Sequence, residues 1–202
     1  MAFSPKIDIR RKILDTARQL LVEKGITNVS IRMIASKVGC SVGTIYFYFE
    51  NKDSLVHSLI EEGFEKLIGI QEDVAATNQD PCTRLKEVCR YYIQFGIDNP
   101  EYYEIMFMLH SDRMSRYPAE KYRRAFKSLG MVTKALVEGR EQGDLMVKDA
   151  DMETQLIWCH MHGIVSLILS KRIHRSVDHT KMIELALEQI VETRRHPDMK
   201  VS

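Results

Sequence analysis

Between Ser30 and Lys52 the chain gathers side chains suited to gripping a polyanion. Hydroxyls stand at Ser30, Thr44, Tyr46 and Tyr48, and cations at Arg32, Lys37 and Lys52. Hydroxyl, guanidinium and ammonium groups donate hydrogen bonds to phosphate oxygens, and Val42 offers an apolar contact to a thymine methyl. Gly43 leaves the backbone bare for close approach of a duplex. This is contact chemistry, not bond-breaking chemistry. No Ser/His/Asp arrangement, phosphate-cradling glycine loop or metal-ligand cluster stands out, and no cofactor or metal is expected. His160 and His162, two residues apart, point about 200° from one another on a helix and cannot share one metal from it. His110 with Asp112 is a thin metal hint.

Contacts of this kind need elements that hold them outward. Ser30 caps a helix of about two turns that ends at Gly39, and Ser41 caps another running to about Phe47. Ile31, Ile34 and Val38 give the first its buried face, Ala35 is small enough for a close helix crossing, and Gly39 can take the positive φ of a sharp turn. Ile45 and Phe49 anchor the second helix from beneath. Val42, Gly43, Thr44 and Tyr46 are left on its outward N-terminal part, where a recognition helix meets base edges. Tyr48 either reaches phosphate or completes the core. Lys52, opening the next helix, adds its charge to free N–H groups. The competing reading is a three-helix unit with a solvated polar face. Charge distribution counts against it: residues 1–60 carry 9 Lys+Arg against 5 Asp+Glu, while residues 61–202 carry 20 against 23. A basic head on a slightly acidic body suits docking one end on phosphate.

Helical periodicity runs almost throughout the 202 residues, and no stretch alternates as a strand. Ser4-Pro5 reads as the start of a first helix carrying Ile13, Leu14, Ala17, Leu20 and Leu21, stopped by Gly25. Asn51 caps a long helix from Lys52 to about Ala75. Asp80-Pro81 and Asn99-Pro100 each set a capping side chain before Pro at a first helical position. Pro118 opens a seventh helix ending before Gly143, Asp149 or Asp151 an eighth reaching about Lys171, and Asp178 a ninth closed by Pro197. No apolar run approaches the roughly 18–20 residues of a membrane span, and no apolar signal core opens the chain, so a cytoplasmic location is expected. Cys40, Cys82, Cys89 and Cys159 form no C-x-x-C pair. Cys82 and Cys89, seven apart, share a helix face and read as core.

The run from Thr44 to Val56, Thr-Ile-Tyr-Phe-Tyr-Phe-Glu-Asn-Lys-Asp-Ser-Leu-Val, resembles the recognition-helix signature of the TetR (tetracycline repressor) family. Leu20 to Gly25 and Ile31 to Gly39 resemble its first two helices. Glu50 departs from the basic residue common there, which weakens one expected phosphate contact. The resemblance covers about the first 60 residues. It implies an all-α homodimer of about nine helices: a helix-turn-helix DNA-binding domain over residues 1–53, then an effector-binding and dimerisation domain over 54–202. Asp98 to Phe107 and Trp158 to Leu167 are similar to segments of one subgroup of such regulators.

In the C-terminal body, large and adaptable side chains can line an apolar cavity or fill an ordinary core. The candidates for a ligand site are Phe64, Ile68, Tyr92, Phe95, Tyr103, Phe107, Met131, Trp158 and His162. The last two predicted helices carry wide apolar faces, from which Leu156, Ile164, Leu167, Ile168, Ile183, Leu187 and Ile190 are expected to pack on a second copy as a four-helix bundle. Together these readings imply a non-enzymatic regulator, a repressor released from a palindromic operator by a small apolar or amphipathic effector. Its expected partners are duplex DNA, the effector and a second copy, with no membrane. The alternative is a DNA-bound dimeric scaffold that recruits a protein.

Overall fold

The computed structural model describes residues 8–77, 80–108 and 119–196. Among these the chain is all-α, with nine α-helices and, for β-type pairing, a single isolated bridge between Leu145 and Arg195. The chain forms two units. The first holds residues up to Gly63 together with a return segment from Glu101; the second holds Phe64–Pro100 and the residues from Ala119 onward. The boundary therefore falls within a helix, ten residues beyond the one expected at residue 53.

In the first unit, α1 (Ile9–Lys24) is capped by Asp8, whose carboxylate accepts from the Arg11 N–H at 3.2 Å. The Ser4-Pro5 start lies outside the described residues. Ile13, Leu14, Ala17, Leu20 and Leu21 are buried in one stripe, and Gly25, at φ 74°, ends the helix. A 3-10 turn, Ile26–Asn28, leads to α2 (Ile31–Val38) and α3 (Val42–Tyr48). Ser30 and Ser41 cap these by accepting from the N–H groups of Met33 and Thr44. Gly39 takes left-handed geometry, φ 79° and ψ 36°, and its N–H closes onto the Ala35 carbonyl at 2.9 Å. A side chain at that φ would strain the turn. Ala35 and Ile45 are buried at the α2–α3 crossing. Lys12 ties α1 to the end of α2 by donating to the Val38 carbonyl at 2.9 Å.

The return segment comprises the end of α6 (Pro100–Tyr103) and a π-helical turn, Glu104–Met108. It packs on the first part of α4 (Lys52–Thr77), where a Cβ on Gly63 would overlap the Met106 thioether and come 2.9 Å from its Cγ. The Tyr102 hydroxyl accepts from Arg18 and donates to Glu62, both at 2.5 Å. Arg11 reaches the same Glu62 at 2.6 Å, and Arg18 also meets Glu101 at 2.8 Å. Burial and the bond to Glu62 both push the Tyr102 phenol above its ordinary pKa. It stays a neutral donor between two arginines and a carboxylate. Three stretches distant in sequence thus meet at one hydroxyl.

In the second unit, α5 (Pro81–Asp98) packs against α7 (Ala119–Gln142), α8 (Ala150–Leu169) and α9 (His179–Glu192). Asp80, Asp149 and Asp178 cap α5, α8 and α9. Leu85, Val88, Ile93, Leu136, Ile157, Val165 and Leu187 are buried there. A buried polar trio crosses that core: Ser128 donates to Gln71 at 2.7 Å, and Gln71 donates to the Val88 carbonyl at 3.2 Å. Each group is satisfied, as burial of polar atoms demands. Cys82 and Cys89 are buried as expected, with the Cys89 thiol pushed up to about 12 by burial, whereas Cys159 is exposed. Among the described residues no helix is long and apolar enough to cross a membrane. Pro118 and Pro197 lie outside the described residues, as do His110 and Asp112.

Candidate functional site

On α3, burial of Ile45 and of Phe49 just past its end turns the opposite face to solvent. Gly43 and Tyr46 lie on that face, with Tyr46 53% exposed; Thr44 and Val42 are half-buried. Thr44 shares a 2.9 Å hydrogen bond with Ser41, whose oxygen also caps the helix. Capping is the role that the position of Ser41 ahead of α3 predicts. Ser30, Arg32 and Lys37 are exposed on or beside α2, with Lys37 3.9 Å from Glu23. Tyr48 is 39% exposed and Phe47 82%. Their rings meet edge to face with centroids 5.1 Å apart, so Tyr48 points outward and does not complete the core.

Lys52, expected at the phosphate, also has partners within the first unit. Its ammonium donates to the carbonyls of Ile26 and Val29 at 2.6 and 3.0 Å, and the residue is half-buried. Two of its three donors therefore fasten the turn after α1 to the start of α4, so its charge acts first inside the head. Asn51 caps α4 through the Ser54 N–H at 2.8 Å.

The expected ligand residues divide between the two units. Tyr103 and Phe107 belong to the first, where their rings pack at 4.9 Å, and Tyr103 is fully buried. Phe64, Ile68, Tyr92, Phe95, Met131, Trp158 and His162 belong to the second. Phe64, Ile68, Tyr92 and Phe95 are buried. The Trp158 indole donates to the Tyr92 hydroxyl at 3.0 Å, and the His162 ring lies 5.7 Å from that of Trp158. Burial alone pushes His162 below its ordinary pKa, favouring the neutral imidazole. A groove of about 950 Å³ runs along α7 and α8 past Leu129, Thr133, Val137, Met152 and Gln155, beside none of these residues.

The residues expected at a dimer face divide by burial within the chain. Leu187 and Ile190 are buried at 0% and 2% exposure, and Ile164 is buried too, because α9 and α8 turn these residues into their own core. Ile168 and Ile183 are half-buried. The outward stripe on α8 is Met152, Leu156 and Leu167, continued on α9 by Leu185. A helix apolar on two faces does not declare in its sequence which one meets its own core.

The bacterial regulatory proteins of the tetR family match residues 13–59, and the tetracyclin repressor-like C-terminal domain matches residues 85–190. The chain belongs to the TetR family of transcriptional regulators, and its N-terminal part is a DNA-binding helix-turn-helix. It is similar to YobS, an uncharacterized HTH-type transcriptional regulator of Bacillus subtilis (strain 168), with 23% identity over 185 residues, covering 91% of this chain and 92% of that one. Its fold is similar to FadR of Bacillus subtilis, a regulator solved in complex with stearoyl-CoA: TM-score 0.77, 20% identity, 90% and 97% of the two chains covered. FadR of Bacillus halodurans, a fatty acid degradation regulator, gives 0.76 at 21% identity, covering 97% and 100%.

Proposed function

We propose that the chain is a ligand-responsive repressor: a two-fold dimer that sets two α3 helices in successive major grooves, about 34–36 Å apart, on a roughly palindromic operator. The outward face of α3 carries this reading, because Tyr46 and its neighbours are turned to solvent while Ile45 and Phe49 hold the helix from below. The exposed stripe of Met152, Leu156, Leu167 and Leu185 supports a second copy packed on α8 and α9. The effector is an amphipathic molecule taken up by the second unit, with Tyr92, Trp158 and His162 as its polar tips. The FadR neighbour was solved with stearoyl-CoA, so acyl thioesters are the first class to try.

An effector releases DNA only through unequal affinity for two conformations, and about 5.5 kcal/mol of difference takes their ratio from 1:99 to 99:1. The test is a gel shift on duplexes enriched from a random pool, repeated with a series of acyl-CoA chain lengths. Enrichment of a palindrome and its release by one chain-length range are expected. Enrichment with no release by any of them, and no small molecule in native mass spectra, would overturn the effector half and favour the recruiting scaffold.

A further inference from the structure

Phe47 has no part in the contact set derived so far, yet no other large apolar side chain among the described residues is as exposed, at 82%. Single exposed apolar residues are ordinary on protein surfaces. This one is set apart by its position. Gly43, Tyr46 and Phe47 share the outward face of α3, with Phe47 four residues after Gly43. Residues four apart on a helix share one face, so the exposed ring at 47 and the bare backbone at Gly43 present to the same side of α3.

The glycine is not demanded by the fold. Its φ is not in the left-handed region, and an added Cβ would meet only the Ser41 hydroxyl, at an ordinary 3.6 Å. Glycine inside a helix is less favourable than alanine. An open notch that the protein's own packing does not require is space for something outside the chain. The phenyl ring on the same face carries no donor or acceptor, so it does not serve a phosphate. Its edge-to-face contact with Tyr48, at 89° between planes, restrains its orientation.

We propose that Phe47 is a specificity-determining residue: in the major groove its ring packs on the C5-methyl of a thymine, with the Gly43 notch admitting that base edge. The major groove displays this methyl as the apolar mark that separates T·A from the other pairs. The inference rests on α3 entering the groove and names what one of its side chains reads there.

The probe is a duplex enriched from a random pool by the wild-type protein, with each thymine replaced singly by deoxyuridine, which removes only the methyl. Wild-type protein is expected to bind about fourfold more weakly at one thymine per half-site, the worth of one buried carbon group. Phe47→Ala should bind the parent duplex about fivefold or more weakly and show no further loss at that same thymine. Phe47→Leu should keep part of the methyl effect. The exposed ring makes unchanged circular dichroism the expected control. Phe47→Ala binding like wild type, or a uracil penalty that persists in Phe47→Ala, overturns the assignment; the latter assigns the ring to sugar or to nothing. Failure of the wild-type protein to enrich any sequence overturns the DNA reading as well, and so separates the two.

Discussion

Tyr102→Phe removes one oxygen and leaves the ring where it is, so it isolates the junction at which α1, α4 and the return segment meet. The lost hydroxyl accepts from Arg18 and donates to Glu62, and both partners are charged. Hydrogen bonds to charged groups contribute about 1.5–3 kcal/mol each. Neither partner is orphaned, however. Arg18 keeps Glu101 at 2.8 Å and Asp15 at 3.2 Å, Glu62 keeps Arg11 at 2.6 Å, and the ring keeps its place 4.7 Å under the Arg18 guanidinium. The partly exposed ion pairs that remain are individually weak. The expected net loss is therefore about 1–2 kcal/mol, below the sum of two such bonds. If α1 opens with the junction, amide exchange along Ile9–Lys24 should quicken about 5- to 30-fold, that loss expressed as an equilibrium constant. Hydrogen exchange read by mass spectrometry on α1 peptides measures it. Trp158, the sole tryptophan, lies in the second unit and gives a fluorescence control there. Exchange in α1 unchanged within about twofold would show that the hydroxyl holds nothing. A cycle with Glu62→Gln that gives strictly additive losses would deny the pair its coupling.

The remaining outcomes can be stated together. Lys52→Ala should lower stability by about 1–3 kcal/mol in thermal melts, because two carbonyls lose their donor, while the salt slope of DNA binding barely changes; a slope reduced by about one, with melting unmoved, would restore a phosphate role. Burial holds the His162 proton off until lower pH than in an unfolded chain, so the unfolded state binds more protons there. The corresponding stability is intact above about pH 6.5 and is lost as pH falls through the folded value. Protonation should quench Trp158 with a midpoint below about 6.5, a change absent in His162→Gln; a midpoint at or above that value contradicts the burial argument. Leu156→Glu, at a side chain 55% exposed, should shift sedimentation from dimer to monomer with helicity unchanged, whereas Leu187→Ala should lower melting by a core-cavity cost of about 2–5 kcal/mol. Dimers that survive both Leu156→Glu and Leu185→Glu would move the interface elsewhere.

What the sequence disclosed follows the range of the forces involved. Caps, stops and apolar stripes are written within a few residues, so Ser30, Gly39, Ser41, Asp80 and Asp178 are legible in the sequence, and the cap of α8 is narrowed to Asp149 or Asp151. That local reading has a limit. Asp8 caps the described α1 ahead of Ile9, but Asp is equally at home in turns, so its type alone does not mark it as a cap. Lys52 shows another. Its type and position at a helix start fit phosphate, and only the tertiary fold brings the Ile26 and Val29 carbonyls within 3.0 Å of it. The Tyr102 junction joins residues 40 to 91 positions apart, and no local pattern announces it. Helix faces fail for a related reason. Leu187 and Leu185 differ by two positions and have the same chemistry, yet one is buried and the other 52% exposed. Phe47 is hard to place for the same reason: it stands in a run of three exposed aromatic residues between buried Ile45 and Phe49, and residue type alone does not say which ring faces out. The side chains that sequence reads least well are thus those whose role depends on which way one short helix has turned.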